Sequence, residues 1–253
     1  MPSPVITTTV AIVSSATSIG LAFYALKLRA KIASIALDKK TTTNVIKTTK
    51  ILRDSHGNRL WNAEELIAQR RSIFPPNFDI ERRVSREVLT KMLEGANWAP
   101  THGRTEPWRF VVFEAPDKRL ELGQLMANVY KNTVPPNKFI ETKYKKMIFN
   151  CTASSHVIAI CMKRQKSGKI PEWEEICSVA CAVQNMHLVA TAYDIGAYWS
   201  SGPPITMSQE MKGYLQLAEA DKCLGLFYVG VPKENAKIAK GVRKPIGEKV
   251  TWF

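Results

Sequence analysis

The chain predicts an α+β fold, and two patterns carry that expectation. Apolar runs of strand length occur at 109–113 (RFVVF), 156–162 (HVIAICM) and 224–231 (LGLFYVGV), the last two without the polar alternation of a half-exposed strand. Strands of that kind are buried on both faces, so the central sheet must be flanked by helices. The intervening segments supply them, above all a long one that begins with Pro171 at an N1-like position and runs to about Asp194. With 45% hydrophobic residues in 253, the chain can bury one domain-sized core and carry an appendage.

The appendage is N-terminal. No charged side chain occurs before Lys27, and 5–26 is long enough to span a bilayer. Seven Thr and Ser residues between 7 and 18 dilute its hydrophobicity; Lys27, Arg29 and Lys31 follow at once. Two readings stay open for 1–37. It is a retained membrane anchor whose basic flank keeps the body on the cytoplasmic side, or it is an organelle-targeting peptide, being rich in Ser and Thr and free of acids before Asp38. A secretory signal fits less well, because no basic region precedes the apolar run. Residues 38–57 read as a polar linker and 58–253 as the functional body.

The net charge is +14. Seven Lys and Arg against Asp38 alone put +6 in the first fifty residues, and the rest is spread along the body. Such a surface favours anionic ligands. Spread charge without a recognition motif argues against nucleic acid as a partner. Five cysteines, with no C-x-x-C and no zinc spacing, predict reduced thiols in a reducing compartment, and Cys177 with Cys181 reads as i,i+4 core packing on a helix.

Within the body, Asn62 caps a short helix over 63–69, which delivers Arg70-Arg71-Ser72. Two guanidinium forks and a hydroxyl suit a phosphate; the plainer alternative is a basic helix end complementing its own dipole. Ser85 is an N-cap, with Val84 and Leu89 placed as a hydrophobic staple. Val88, Leu89, Met92, Leu93 and Ala96 repeat at helical spacing and form a core face. That helix ends near Asn97 and leads into 98–113, WAPTHGRTEPWRFVVF. Pro100 and Pro107 stiffen a turn that holds Thr101, His102, Arg104 and Glu106 between two regular elements, an arrangement suited to binding.

A helix over 117–129 follows the 109–113 strand. Pro135-Pro136 then breaks the chain ahead of the basic segment 138–146, whose lysines read as a solvated face. In the long helix, Glu172, Glu174 and Glu175 occupy the first turn. Its apolar residues lie nearly all round, so it must be buried on more than one side. His187 on it reads as a satisfied core histidine. Ala197 to Gly202 (AYWSSG) offers a flat indole and small residues that let backbone amides approach a planar ligand, or else it is a plain buried strand. The lysine-rich tail carries Arg243 and ends Val250-Thr251-Trp252-Phe253.

Taken in order, Arg70-Arg71-Ser72, Ala99-Pro100-Thr101 through Pro107-Trp108, and Trp199-Ser200-Ser201-Gly202 resemble the FMN-dependent nitroreductase family over residues 58–253. The similarity is greatest to the small bacterial NAD(P)H nitroreductase branch. It implies a mainly antiparallel mixed sheet and a homodimer packed through a long buried central helix, with FMN at the subunit interface. Arg70 and Ser72, with Arg243, are then expected to bind the FMN phosphate. Arg71, Thr101 and His102 would contact the flavin or its ribityl chain, and Trp199, Ser200 and Ser201 would line the ring. NAD(P)H would be the reductant in a ping-pong cycle that reduces a nitroaromatic, quinone-like or related electrophilic acceptor. No nucleophile–base–acid set, P-loop or G-x-G-x-x-G is visible, as expected where the cofactor carries the chemistry.

Two departures from the family pattern keep other readings open. Arg104 and Glu106 stand where many relatives have asparagine and glutamine, and an acid in place of an amide removes two N–H donors. Thr105-Glu106-Pro107-Trp108 is also similar to the loop of membrane-anchored halotyrosine dehalogenases, although no glutamate–tyrosine–lysine lid pattern is found in 120–146. A reductive dehalogenase on the same fold, or a tethered protein that binds flavin without catalysis, is the alternative.

Overall fold

The computed structural model describes residues 26–27, 29–30, 52–53 and 59–253. The anchor or targeting reading of 5–26 and most of the 38–57 linker lie outside them. Among the described residues no helix is long and apolar enough to cross a membrane. The chain divides into two compact units, Met1–Leu60 and Trp61–Phe253. In the first, β1 (Leu52–Arg53) pairs antiparallel with β2 (Arg59–Leu60), so a two-residue ladder occupies the end of the segment read as linker.

The second unit is built on a four-stranded sheet of β3 (Trp108–Phe113), β4 (His156–Met162), β5 (Gly196–Ser200) and β6 (Lys222–Gly230), in the order β3-β4-β6-β5. Every neighbouring pair is antiparallel. A single parallel bridge, Ser72 to Ala197, lies beyond the β5 edge and makes the sheet locally mixed. All of β4 is buried, as its unbroken apolar run demands. Side-chain alternation sends Ile158, Ile160 and Met162 to one core and Val157, Ala159 and Cys161 to the other.

The first core is closed by α2 (Arg86–Asn97) and α5 (Glu172–Ala192), through Met92, Ala96, Val179, Val183 and Met186. The second is closed by α3 (Pro116–Thr133), α4 (Glu141–Ala153) and the short α6 (Pro203–Thr206) and α7 (Gln209–Tyr214), with Leu122, Met126, Cys151, Ile205 and Met211 buried there. Fully burying side chains of this size stabilises the fold by roughly 1.5–3 kcal/mol each, and the helices are spaced to do it.

Local signals act where the sequence puts them. Asn62 Oδ1 accepts from the Glu65 N–H at 2.7 Å and starts α1 (Ala63–Gln69). Ser85 Oγ accepts from the Val88 N–H at 3.3 Å and starts α2, with Val84 and Leu89 buried together. One element goes unannounced and one expectation needs correction. The lysines of 138–146 are exposed, as the sequence suggests, and from Glu141 the segment is the first half of α4. No side chain caps that helix, so no start signal announces it. Cys177 and Cys181 are exposed rather than packed in the core: on α5 they share an outward stripe with Trp173 and Gln184, while the opposite face meets the sheet.

Candidate functional site

Arg70 closes α1, donating its backbone N–H to the Leu66 carbonyl at 3.1 Å. The next residues run alongside β5: the Ile73 N–H donates to the Ala197 carbonyl at 3.0 Å, which fixes Arg70-Arg71-Ser72 at the sheet edge. The Arg71 guanidinium donates to the Ala68 and Arg70 carbonyls at 2.6 and 2.8 Å. From outside, the tail presses onto it. A Cβ on Gly241 would lie 2.5 Å from Arg71 Nη2, so the tail passes directly against the guanidinium.

Two residues further along the tail, Arg243 completes a cationic cluster. The Arg70 guanidinium is pushed below its ordinary value by partial burial first, then by the charges of Arg71 and Arg243, and no carboxylate contributes to the shift. Three guanidinium groups in mutual repulsion cost the fold free energy unless an anion joins them. A phosphate is the ligand their fork geometry suits best. Beneath them His187 Nε2 donates to the Arg71 carbonyl at 2.9 Å. Burial and then the Arg70 charge hold His187 down at about 4, so it is the satisfied, neutral core histidine its sequence context suggests.

The wall that starts at Ser72 continues into a cavity of about 970 Å³, lined among others by Phe74, Tyr198, Ser200, Ser201 and Gly202, and across it by Tyr130 and the α4 residues Lys143, Lys146, Met147 and Asn150. Most of this lining is aromatic or aliphatic. Phe74 and Tyr198 pack ring to ring, with centroids 4.5 Å apart. Asn150 is among the lining residues, and its Oδ1 is buried without a hydrogen-bond partner among the described residues. The cluster does not itself line the cavity; the two are linked along the chain, Ser72 bridging Ala197 while Phe74–Pro76, Tyr198 and Ser200–Gly202 line the cavity. The guanidinium groups suit a phosphate and the aromatic lining suits a flat ring.

Trp199 does not join them within the chain. Successive strand residues face opposite ways, so Tyr198 and Ser200 face the cavity while Trp199 packs on the α2–α5 core and donates from Nε1 to the Leu224 carbonyl at 3.3 Å. Thr101 and His102 are also elsewhere. His102 Nδ1 lies 2.5 Å from Glu174 Oε2 in the first turn of α5, and Thr101 Oγ1 accepts from the Glu106 N–H at 3.2 Å. Gly103, Arg104 and Glu106 all have positive φ, which gives this turn its tight shape. Glu174 and His187 are thirteen residues apart on one helix, about 20 Å at 1.5 Å per residue. Within one chain the turn and the cation cluster therefore cannot hold the same small ligand.

Phe74, Tyr130, Met147, Asn150 and Tyr198 are cavity residues that motif reading missed. For those on α4 the 143, 146, 147 and 150 spacing was the available signal. Elsewhere Ser155, His156 and Glu114 lie in a row resembling a hydrolytic triad, with Ser155 Oγ 3.1 Å from His156 Nδ1 and His156 Nε2 3.7 Å from Glu114 Oε1. Ser155 and His156 are buried and Ser155 Oγ accepts the Val84 N–H, so no substrate reaches them.

Fold and site together define a protein of the nitroreductase type, and comparison with known proteins agrees. The sequence profile of the Nitroreductase family matches residues 67–231, and the chain belongs to that family. It is 30% identical over 197 residues to the "Putative NAD(P)H nitroreductase YdjA" of Escherichia coli, covering 76% of this chain and 100% of that protein. It is 25% identical over 201 residues to the iodotyrosine deiodinase 1 of Sus scrofa, covering 73% of this chain and 66% of that protein. Among solved structures, a "putative nitroreductase in complex with FMN" from Desulfovibrio desulfuricans superposes with a TM-score of 0.57 at 25% identity, covering 77% of this chain and 98% of that one.

Proposed function

We propose that the chain is an FMN-dependent oxidoreductase that uses NAD(P)H to reduce electrophilic small molecules of nitroaromatic or quinone type. The observation that carries this reading is the Arg70, Arg71 and Arg243 cluster next to the Ser72–Ala197 bridge on the β5 edge, whose following residues Tyr198 and Ser200 line the aromatic cavity. When bound, FMN supplies the hydride and electron chemistry that side chains lack. The chain's own groups have binding roles: Arg70, Arg71, Ser72 and Arg243 hold the phosphate, and Ser200, Ser201 and the adjoining backbone border the ring. The cavity keeps water from the reacting atoms. A "putative nitroreductase in complex with FMN" on the same fold supports the cofactor, and the NAD(P)H nitroreductase relative supports the reductant.

The working unit in this reading is a homodimer. The Thr101–His102 turn lies about 20 Å from the cation cluster in one chain, and a second copy can bring its own turn to the first copy's cavity. Trp173, Cys177, Cys181 and Gln184 form an exposed stripe along α5 between those two places, and Trp98 and Trp252 are 86% and 89% exposed nearby in sequence to the turn and the tail. Membrane attachment through 5–26 remains part of the proposal; fractionation with and without that segment tests it.

The purified full-length protein should be yellow and should bleach under anaerobic NADPH. Arg70→Ala should lose most of its FMN. A folded preparation that is colourless and refuses added FMN overturns the reading, and a yellow one that no reduced nicotinamide bleaches reduces it to a flavin-binding module. The deiodinase relative and the Thr105-Glu106-Pro107-Trp108 loop favour a second substrate class, halogenated tyrosines; halide release from the reduced protein decides between the two.

A further inference from the structure

Helix α4 sets one face along the cavity, with two exposed lysines at its rim and the half-buried Met147 and Asn150 deeper. Lys143, Lys146, Met147 and Asn150, spaced 3, 1 and 3 residues apart, all line the cavity and so share one side of the helix. Lys145 lies off this face and pairs with Glu141 at 3.3 Å. Among the described residues no carboxylate pairs with Lys143 or Lys146, and no acidic residue lines the cavity. Two ammonium groups one turn apart at the same opening repel each other. Lys143 is also positioned. Its Nζ lies 4.5 Å from the centroid of the Tyr130 ring, a cation–π contact that holds the charge over the cavity's aromatic wall with its N–H donors free.

We propose that Lys143 and Lys146 form an anion clamp that selects the electron acceptor, and that the preferred acceptor is an aromatic acid: a planar ring for the Phe74–Tyr198 side, bearing a carboxylate for the two ammoniums. This rests on the reading that the acceptor occupies this cavity. The FMN phosphate does not need the two lysines, because Arg70, Arg71 and Arg243 form a separate cationic cluster that does not line this cavity. An apolar cavity with cations at one edge discriminates through charge, while its aromatic lining contributes affinity to any flat ring.

Two acceptors of nearly equal shape isolate the charge: 4-nitrobenzoate and its neutral amide. With the full-length protein and NADPH, kcat/KM should favour the acid by about tenfold, the effect of two partly solvated ion pairs, and the preference should shrink as salt is added. A Lys143→Gln/Lys146→Gln double substitution should bring the two within about twofold, whereas Lys145→Gln keeps the preference. Calorimetric titration of both compounds into the oxidised protein should give the same ratio without turnover. No discrimination by the wild type, or discrimination that survives the double substitution, overturns the clamp. So does a rise in the NADPH KM alone, which would assign the ammoniums to the reductant. Colourless protein that still binds the acid about tenfold tighter overturns the FMN reading and keeps the clamp; yellow, active protein indifferent to the carboxylate does the reverse.

Discussion

His187 Nε2 donates to the backbone carbonyl of Arg71 across 2.9 Å, so the central helix grips the arginine pair from beneath by its main chain and leaves the guanidinium groups above it free of that task.

The burial of His187 makes stability depend on pH. In the folded chain His187 titrates at about 4 rather than at its ordinary 6.5, because burial and then the Arg70 charge oppose its proton. The unfolded chain takes up the proton first, so the contribution is fully present above pH 6.5 and is lost as pH falls towards 4. The full window is worth roughly 3 kcal/mol. His156, also lowered, chiefly by burial, acts in the same direction. Comparison with His187→Gln, which keeps an N–H donor but cannot charge, isolates the first. Urea unfolding at pH 7 and pH 5 should show a shallower loss in the variant, and equal losses would remove His187 as the cause.

Arg243 should matter for the anion and not for the fold. Among the described residues its side chain makes only a local bond to the Val242 carbonyl at 2.8 Å, and its charge opposes that of Arg70. Arg243→Ala should leave the thermal midpoint of the FMN-free protein unchanged or slightly raised. Loss of one charge-assisted contact of about 1.5–3 kcal/mol should weaken FMN binding roughly ten- to a hundredfold, read from recovery of flavin fluorescence on titration. An unaltered FMN affinity would take Arg243 out of the site.

Gly225 sits in a β-bulge, where the β4–β6 register shifts between Ile160 and Cys161. Its φ is +142°, and a Cβ there would stand 2.5 Å from both the Ser200 carbonyl and Trp199 Nε1. Gly225→Ala must therefore push back the strand that borders the cavity. A loss of about 2–4 kcal/mol in chemical denaturation is expected, together with weaker flavin retention. Gly213→Ala, in open space on α7, should be neutral or gain up to about 1 kcal/mol. Equal behaviour of the two would show that the bulge tolerates a side chain.

The fold was legible where a residue's own chemistry settles its surroundings. Asn62 and Ser85 each satisfy an orphan helix N–H, and 156–162 is too apolar for anything but a strand buried on both faces. Helix α4 was not legible, because Ile140 gives it no side-chain cap and three lysines suggest solvent. Charge and order in the sequence single out Arg70, Arg71 and Arg243, and the fold brings the three charges together; their part in binding is the proposal above. Tyr130, Met147 and Asn150 were missed because a cavity belongs to the gap between elements far apart in sequence. Trp199 shows a local rule at work: strand parity puts Trp199 and Ser200 on opposite faces of β5 within one chain.

The exposed stripe on α5 offers a test of the dimer that needs no cofactor. Cys177 and Cys181 are exposed in the single chain, whereas Cys151, Cys161 and Cys223 are buried, and burial pushes Cys151 up to about 12 and so keeps it protonated. A lone folded chain would offer two fast-reacting thiols, an unfolded one all five. If two α5 helices pack along Trp173, Cys177, Cys181 and Gln184, the native protein should sediment at twice the chain mass. Its two surface thiols should then react with a disulfide reagent no faster than the buried three. Cys181→Glu places a charge in that contact, and leaving it unpaired on association is costly. The variant should therefore run as a monomer, expose Cys177 to the reagent and retain less FMN, since each cavity loses its partner's Thr101–His102 turn. Two fast thiols at the mass of one chain would refute the shared site and leave the Arg70–Arg243 cluster to hold its ligand alone.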